Sequence, residues 1–307
     1  MQQAPCVNRG INCPELFDAE HCVIYIAVAL RTVITIFVMY ISIAKLKGDP
    51  VKLYTLNLYS ASILSDVSST ALLMFRVTLL YRADIASSVW YTVTEVITDF
   101  AYTLVAVLYR LLSLFYVIVS IIPYTAPIFF KLHFTNRSWA PWYAVMQAIS
   151  YIVSFFLVST IALPEAAFIK VFSVINGVFD GLLVLLSFLT LFATIKAVAV
   201  VKGYKPQSNT NNAENERLQR KRLISFLIYS IPMNIFNVPL IANDFAYVLE
   251  LLWPHEPFIR YIRPVVSSVD THFDSFRTVV IGLCTLIALS PYRDAAVCLL
   301  GIRHLIH

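Results

Sequence analysis

Along the chain, apolar positions gather into long runs separated by short polar connections, without the two-residue alternation of barrel strands. The runs cover 23–44, 53–75, 89–122, 140–162, 168–201, 223–252 and 264–289. Each meets or exceeds the roughly 20 residues a helix needs to cross about 30 Å of hydrocarbon. Lipid offers no partner to open backbone groups, so the pattern predicts seven membrane-spanning α-helices. The expected organisation is all-α: a tail at 1–22, a seven-helix transmembrane bundle at 23–289, and a tail at 290–307 holding a short amphipathic helix over 292–305. The third, fifth and sixth runs are longer than one crossing needs and should tilt or continue beyond the lipid. Pro123 gives the third a place to bend or end.

Five runs carry polar residues on one face. In the third, Glu95, Asp99, Tyr102, Ala106, Tyr109, Ser113 and Tyr116 recur at steps of three and four, which is one stripe of an α-helix. The second repeats the design with Thr55, Tyr59, Ser62, Asp66 and Ser69, and the fifth with Ser173, Asn176, Asp180 and Ser187. The sixth carries Ser230, Asn234, Asn237 and Asp244, the seventh Ser267, Asp270, Asp274 and Arg277. A charge at such depth costs at least about 2.5 kcal/mol, so these faces should meet around a polar axis. Arg31, Asp66 and Arg277 come out at a common depth, roughly 20 Å from the inner boundary at 1.5 Å per residue, and form an expected polar core. Asp66 is placed to pair with either arginine. Glu95, Asp99, Asp244, Asp270 and Asp274 fall in the outer half, and with Tyr102, Asn176, Asp180 and Asn237 they are the expected lining of a ligand cavity. The plainer alternative is that Asp274 and Arg277, three residues apart, neutralise each other.

Composition agrees with the membrane reading: 59% of residues are hydrophobic, 13% are charged, and the mean hydropathy is +0.75. The net charge of +5 does not imply a nucleic-acid partner, because the Lys and Arg are segregated by connection. With the N-terminus outside, fourteen fall inside (Lys45, Lys47, Lys52, Lys131, Arg137, Lys196, Lys202, Lys205, Arg217, Arg220, Lys221, Arg222, Arg293, Arg303) and five outside (Arg9, Arg82, Lys170, Arg260, Arg263). That bias sets the expected orientation. The first 22 residues lack a basic region followed by an apolar core, so no cleaved signal peptide is expected. The sequon Asn136-Arg137-Ser138 then lies inside and should stay unglycosylated. Cys6, Cys13 and Cys22 belong to the outer side with their pairing open. Cys298, on the amphipathic stretch, is a palmitoylation candidate, its plainer role being a membrane-facing residue.

Enzyme function is not expected. There is no His-Glu-x-x-His helix, no Gly-x-Ser-x-Gly turn, and no Gly-x-Gly-Asp around Asp180. His304 and His307 read as a solvated end, and no metal or cofactor is implied. Arg277 is the one cation of the seventh run, so a Schiff-base lysine for retinal is missing. A proton-coupled secondary transporter is the alternative, since buried carboxylates also relay protons, though no internal repeat is visible. The longest inner connection, 202–222, ends in Arg217, Arg220, Lys221 and Arg222, a run that meets anionic lipid or docks a cytosolic partner. Pro232 and Pro239 interrupt the sixth run above it.

Seven spans, an outer N-terminus, a basic third inner loop, a Pro-interrupted sixth helix and a short helix after the seventh resemble the G-protein-coupled receptor plan. Within it, the ending Leu289-Ser290-Pro291-Tyr292-Arg293 resembles that of nematode serpentine chemoreceptors, as do Asp66 in the second run and Pro239 in the sixth. The resemblance implies a chemosensory receptor in the plasma membrane, in sensory neurons at the cilium, that binds an environmental small molecule. It also implies a heterotrimeric G protein as partner, contacted by Arg217, Arg220, Lys221, Arg222 and Tyr116. The chain departs from the rhodopsin-like pattern at several points. No acidic-Arg-Tyr triplet ends the third run, no Cys marks its outer end, and Asn237 rather than Trp stands two before Pro239.

Overall fold

The apolar runs become helices with bounds close to the hydropathy pattern. The computed structural model describes residues 19–46, 50–79, 88–135, 138–162, 166–203, 231–232, 234–250, 252–253 and 255–299. In chain order the helices are α1 (Ala19–Ala44), α2 (Pro50–Leu79), α3 (Val89–Thr125), α4 (Ala140–Ala162), α5 (Ala166–Gly203), α6 (234–250), α7 (Pro257–Ala288) and α8 (Ser290–Leu299). No strand occurs among the described residues. Two bounds differ from expectation for a physical reason. α3 runs past Pro123 to Thr125, and α7 starts at Pro257 and runs through Pro264. Inside a bundle, neighbouring helices and side chains take over the one hydrogen bond that a proline removes, so a proline need not end a span. The break comes instead at Ala126, after which Pro127 starts a short turn, Pro127–Phe130, that runs into a π-helical turn, Lys131–Thr135. Ser88 caps α3 by accepting a hydrogen bond from the Trp90 amide.

Helix α3 is the hub. It packs against α2, α4 and α5, and reaches α6 through side chains. α1 packs on α2 and α7, α2 on α4, α4 on α5, and α8 on α7 and α1, while side-chain hydrogen bonds join α6 to α5 and to α7. The distribution of polarity is inverted relative to a soluble protein. Ile26, Leu30, Val33, Ile36, Tyr40 and Ile43 form an exposed stripe on α1, and Val174, Val178, Leu182, Leu185, Leu189 and Phe192 form one on α5. Arg31, Asp66, Arg110, Asp270, Asp274 and Arg277 are buried. Hydrocarbon outside and paired polar groups inside is what a bilayer selects.

Among the described residues, five helices are long and apolar enough to cross a membrane: Cys22–Ala44, Lys52–Thr78, Val89–Pro123, Ala140–Ser159 and Val174–Val200. α7 joins them as a sixth when it is taken together with α8, which turns away from it by 93°. The chain is a multi-pass helical membrane protein.

Small and polar groups join the helices. Gly282 lets α7 approach α1 closely, since a Cβ there would collide with Ile34 Cγ2. Ser42 of α1 and Tyr292 of α8 share a buried hydrogen bond of 2.8 Å, and Asn234 of α6 donates to Thr194 of α5 at 3.1 Å. Within helices, hydroxyls such as those of Thr70, Ser113, Ser150 and Thr285 donate to the carbonyl four residues back, which satisfies them without a partner helix.

Candidate functional site

A cavity of about 400 Å³ lies between α3, α5, α6 and α7, within the size range of small-molecule sites, with Leu157 of α4 on one side. It draws on the N-terminal halves of α5 and α7, the first half and middle of α3, the C-terminal half of α4, and α6 from Leu240 onward. Antiparallel neighbours supply one end of a bundle in just this way. Tyr102, Thr103, Ala106, Val107 and Arg110 come from α3, and Asn176, Asp180 and Leu183 from α5. α6 contributes Leu240, Asn243, Asp244 and Tyr247, and α7 contributes Arg263, Ser267 and Asp270.

The polar groups of this lining are linked in pairs. Arg110, only 2% exposed, makes an ion pair with Asp244, Nη2 to Oδ2 at 2.6 Å, and so ties α3 to α6. Asn243 donates from Nδ2 to Asp270 Oδ2 at 2.9 Å, which ties α6 to α7, while Asp270 Oδ1 is buried without a hydrogen-bond partner. At one edge Arg263 pairs with Glu250, its guanidinium carbon 5.1 Å from the centre of the Tyr247 ring. A cation over an aromatic face gains about 0.5–1 kcal/mol where solvent reaches it. Asp180 makes no ion pair among the described residues.

Further along the axis lie two more pairs. Asp274 pairs with Arg277 on α7, and the Arg277 guanidinium stands 4.5 Å from the Tyr109 ring centre. Arg31 of α1 pairs with Asp66 of α2 through Nε and Nη2, and Thr32 adds a hydroxyl at 3.3 Å. Of the two partners open to Asp66 from sequence, the structure selects Arg31. Arg277 takes the nearer carboxylate on its own helix.

The structure brings together Tyr102, Asn176, Asp180, Asp244 and Asp270 from the expected cavity set. Glu95 and Asp99 lie half-buried on α3, one to two turns before Tyr102, and do not line the cavity. Asn237 is 2% exposed with both amide atoms unpartnered, and Asp274 is occupied by Arg277. Tyr116 lines a second space of about 230 Å³ with Tyr54, Phe115 and Trp139, its ring centre 5.5 Å from that of Tyr54. Cys298 is exposed on α8, and Cys22 and Cys284 are free thiols like it. Arg217, Arg220, Lys221 and Arg222, together with Cys6, Cys13, Asn136 and Arg137, lie outside the described residues.

Sequence reading passed over Arg110, Asn243, Tyr247 and Arg263. The signal for Arg110 was present: a step of four from Ala106 puts it on the polar stripe, and an arginine in mid-span is a functional flag by itself. In comparisons with known proteins, neither a protein-family model nor a curated protein sequence matches the chain.

Proposed function

We propose that the protein is a seven-span chemosensory receptor of the G-protein-coupled type, resembling the nematode serpentine receptors, that detects a small extracellular molecule. The observation that carries the reading is the polar cavity shared by α3, α5, α6 and α7, with Lys45, Lys52 and Lys202 at the helix ends away from it. In this reading α6 and α7 complete seven crossings, the N-terminus is outside, and the cavity opens toward the extracellular side of the plasma membrane. A sensory cilium is the location that suits such a detector. A ligand seated there touches α3, α5, α6 and α7 at once, and it shifts the helix arrangement to the extent that it binds two arrangements unequally. The inner ends of α3, α5 and α6, with Tyr116 and the basic run Arg217 to Arg222, then present the difference to a heterotrimeric G protein.

The test is coupling. Surface-expressed protein is screened with small-molecule pools for G-protein nucleotide exchange, beside an Asp270→Asn variant. A response that needs the G protein and is altered by the variant supports the reading. A protein that gives no exchange but moves solute or protons down an imposed gradient is a transporter, the function its buried carboxylates would also serve.

A further inference from the structure

The charges inside the bundle do not balance, and the imbalance is local. Each buried arginine holds a carboxylate of its own: Arg31 has Asp66, Arg110 has Asp244, and Arg277 has Asp274. At the cavity edge Arg263 has Glu250. Two lining carboxylates are left over, Asp180 on α5 and Asp270 on α7. Asp270 is 4% exposed and has one oxygen without a hydrogen-bond partner. The other oxygen receives only the neutral amide of Asn243. Both leftover carboxylates act electrostatically on Asp244 and on Arg110, which Asp244 already pairs, so this one guanidinium faces three carboxylates, with Arg277 reaching Asp270 from beyond its own Asp274. A carboxylate without an ion pair of its own among helices in lipid is costly, and two of them flanking one cavity leave a local excess of negative charge that a cation would relieve.

An inorganic ion is a poor match. Among the described residues no three His, Cys, Asp or Glu side chains come together at metal-binding distances. An organic cation needs no such closure, because its charge and N–H donors can be spread along an apolar frame. The rest of the lining suits that frame, with Leu183 and Leu240 for methylene groups and the Tyr102 and Tyr247 rings for the faces of ammonium groups. Taking the receptor reading as its basis, we propose that the ligand of this cavity is a small organic ammonium ion held by Asp270 and Asp180. A compound with two ammonium groups at the right spacing neutralises both carboxylates and binds more tightly than its single-ended counterpart.

The experiment uses the full chain in lipid nanodiscs. The probes are the terminal diamines from propane to octane with the matched monoamines, alcohols and carboxylates, read by calorimetry and by the unfolding temperature. At least one diamine is expected to raise the unfolding temperature and to bind about tenfold or more tightly than the alcohol of equal length. Asp270→Asn and Asp180→Asn should each weaken diamine binding about tenfold while leaving the unliganded unfolding temperature unchanged or higher, since neither removes an ion pair. Binding of alcohols or carboxylates as tight as that of amines overturns the proposal. So does a series in which no amine binds, or amine binding that both variants leave intact. G-protein nucleotide exchange is measured separately. Amine binding without exchange keeps the ligand class and removes the receptor reading, and exchange driven only by neutral or anionic compounds does the reverse.

Discussion

At the scale of single residues, the Arg110–Asp244 pair shows how membrane burial sets the stakes. Both groups lie deep among helices, so each is tolerable only because the other is there. Arg110→Met, which strands Asp244, is expected to cost about 3–5 kcal/mol in thermal or SDS-driven unfolding. Arg110→Met together with Asp244→Leu should restore most of that loss, because an apolar pair of similar volume needs no desolvation. Gly282 makes the opposite kind of demand, for space. Gly282→Ala would press a methyl into Ile34 and crowd the Tyr59 hydroxyl at 3.2 Å, an overpacking worth about 1–3 kcal/mol. Adding Ile34→Ala should relieve most of it, and the same unfolding measurement checks both. Which residues are polar and buried was legible from the stripes. Which of them pair was not, because pairing depends on which helices are neighbours. Depth put Asp66 level with two arginines, and only the packing of α1 on α2 decides for Arg31.

At the scale of elements, hydropathy located the helices well and their ends less well. The bounds of α4 coincide with its apolar run. α7 begins almost two turns earlier than its run, because Arg260, Arg263 and Pro264 look like a loop on a hydropathy scale yet sit in continuous helix. Hydropathy therefore places Arg263 in a connection, whereas it is part of the cavity wall. α8 was legible as an amphipathic stretch, though not its anchor, the buried Tyr292 hydroxyl at Ser42. Tyr292→Phe removes that bond and should cost about 1 kcal/mol. A nitroxide on Cys298 is expected to gain mobility in the variant, and an unchanged spectrum would show that packing alone holds α8.

At the scale of the whole molecule, the all-helical membrane fold was legible because each span declares itself through its own composition. The cavity was legible only as a set of outer-half polar residues, since its shape belongs to no single helix. The proposed seven-crossing orientation makes a direct prediction from two free thiols at opposite ends of the bundle, Cys22 at the start of α1 and Cys298 on α8, both exposed. A membrane-impermeant maleimide added to intact cells should label Cys22 and spare Cys298 until the membrane is permeabilised. The reverse labelling would invert the orientation, and labelling of both would change the number of crossings.

The ion pairs also differ in how long they must wait to form during synthesis. Arg31 and Asp66 sit 35 residues apart on successive helices, so the α1–α2 hairpin can close over its own charges as soon as it is made. Asp274 and Arg277 share one helix and meet at once. Arg110 has no such luck, because its carboxylate arrives only when α6 has been made. Until then Arg110 has no ion pair and only Asp180 of α5 near it, and the growing chain must be sheltered by the insertion machinery or a chaperone. A chain that stops after α5 should therefore be the form that cells recognise as unfinished and degrade.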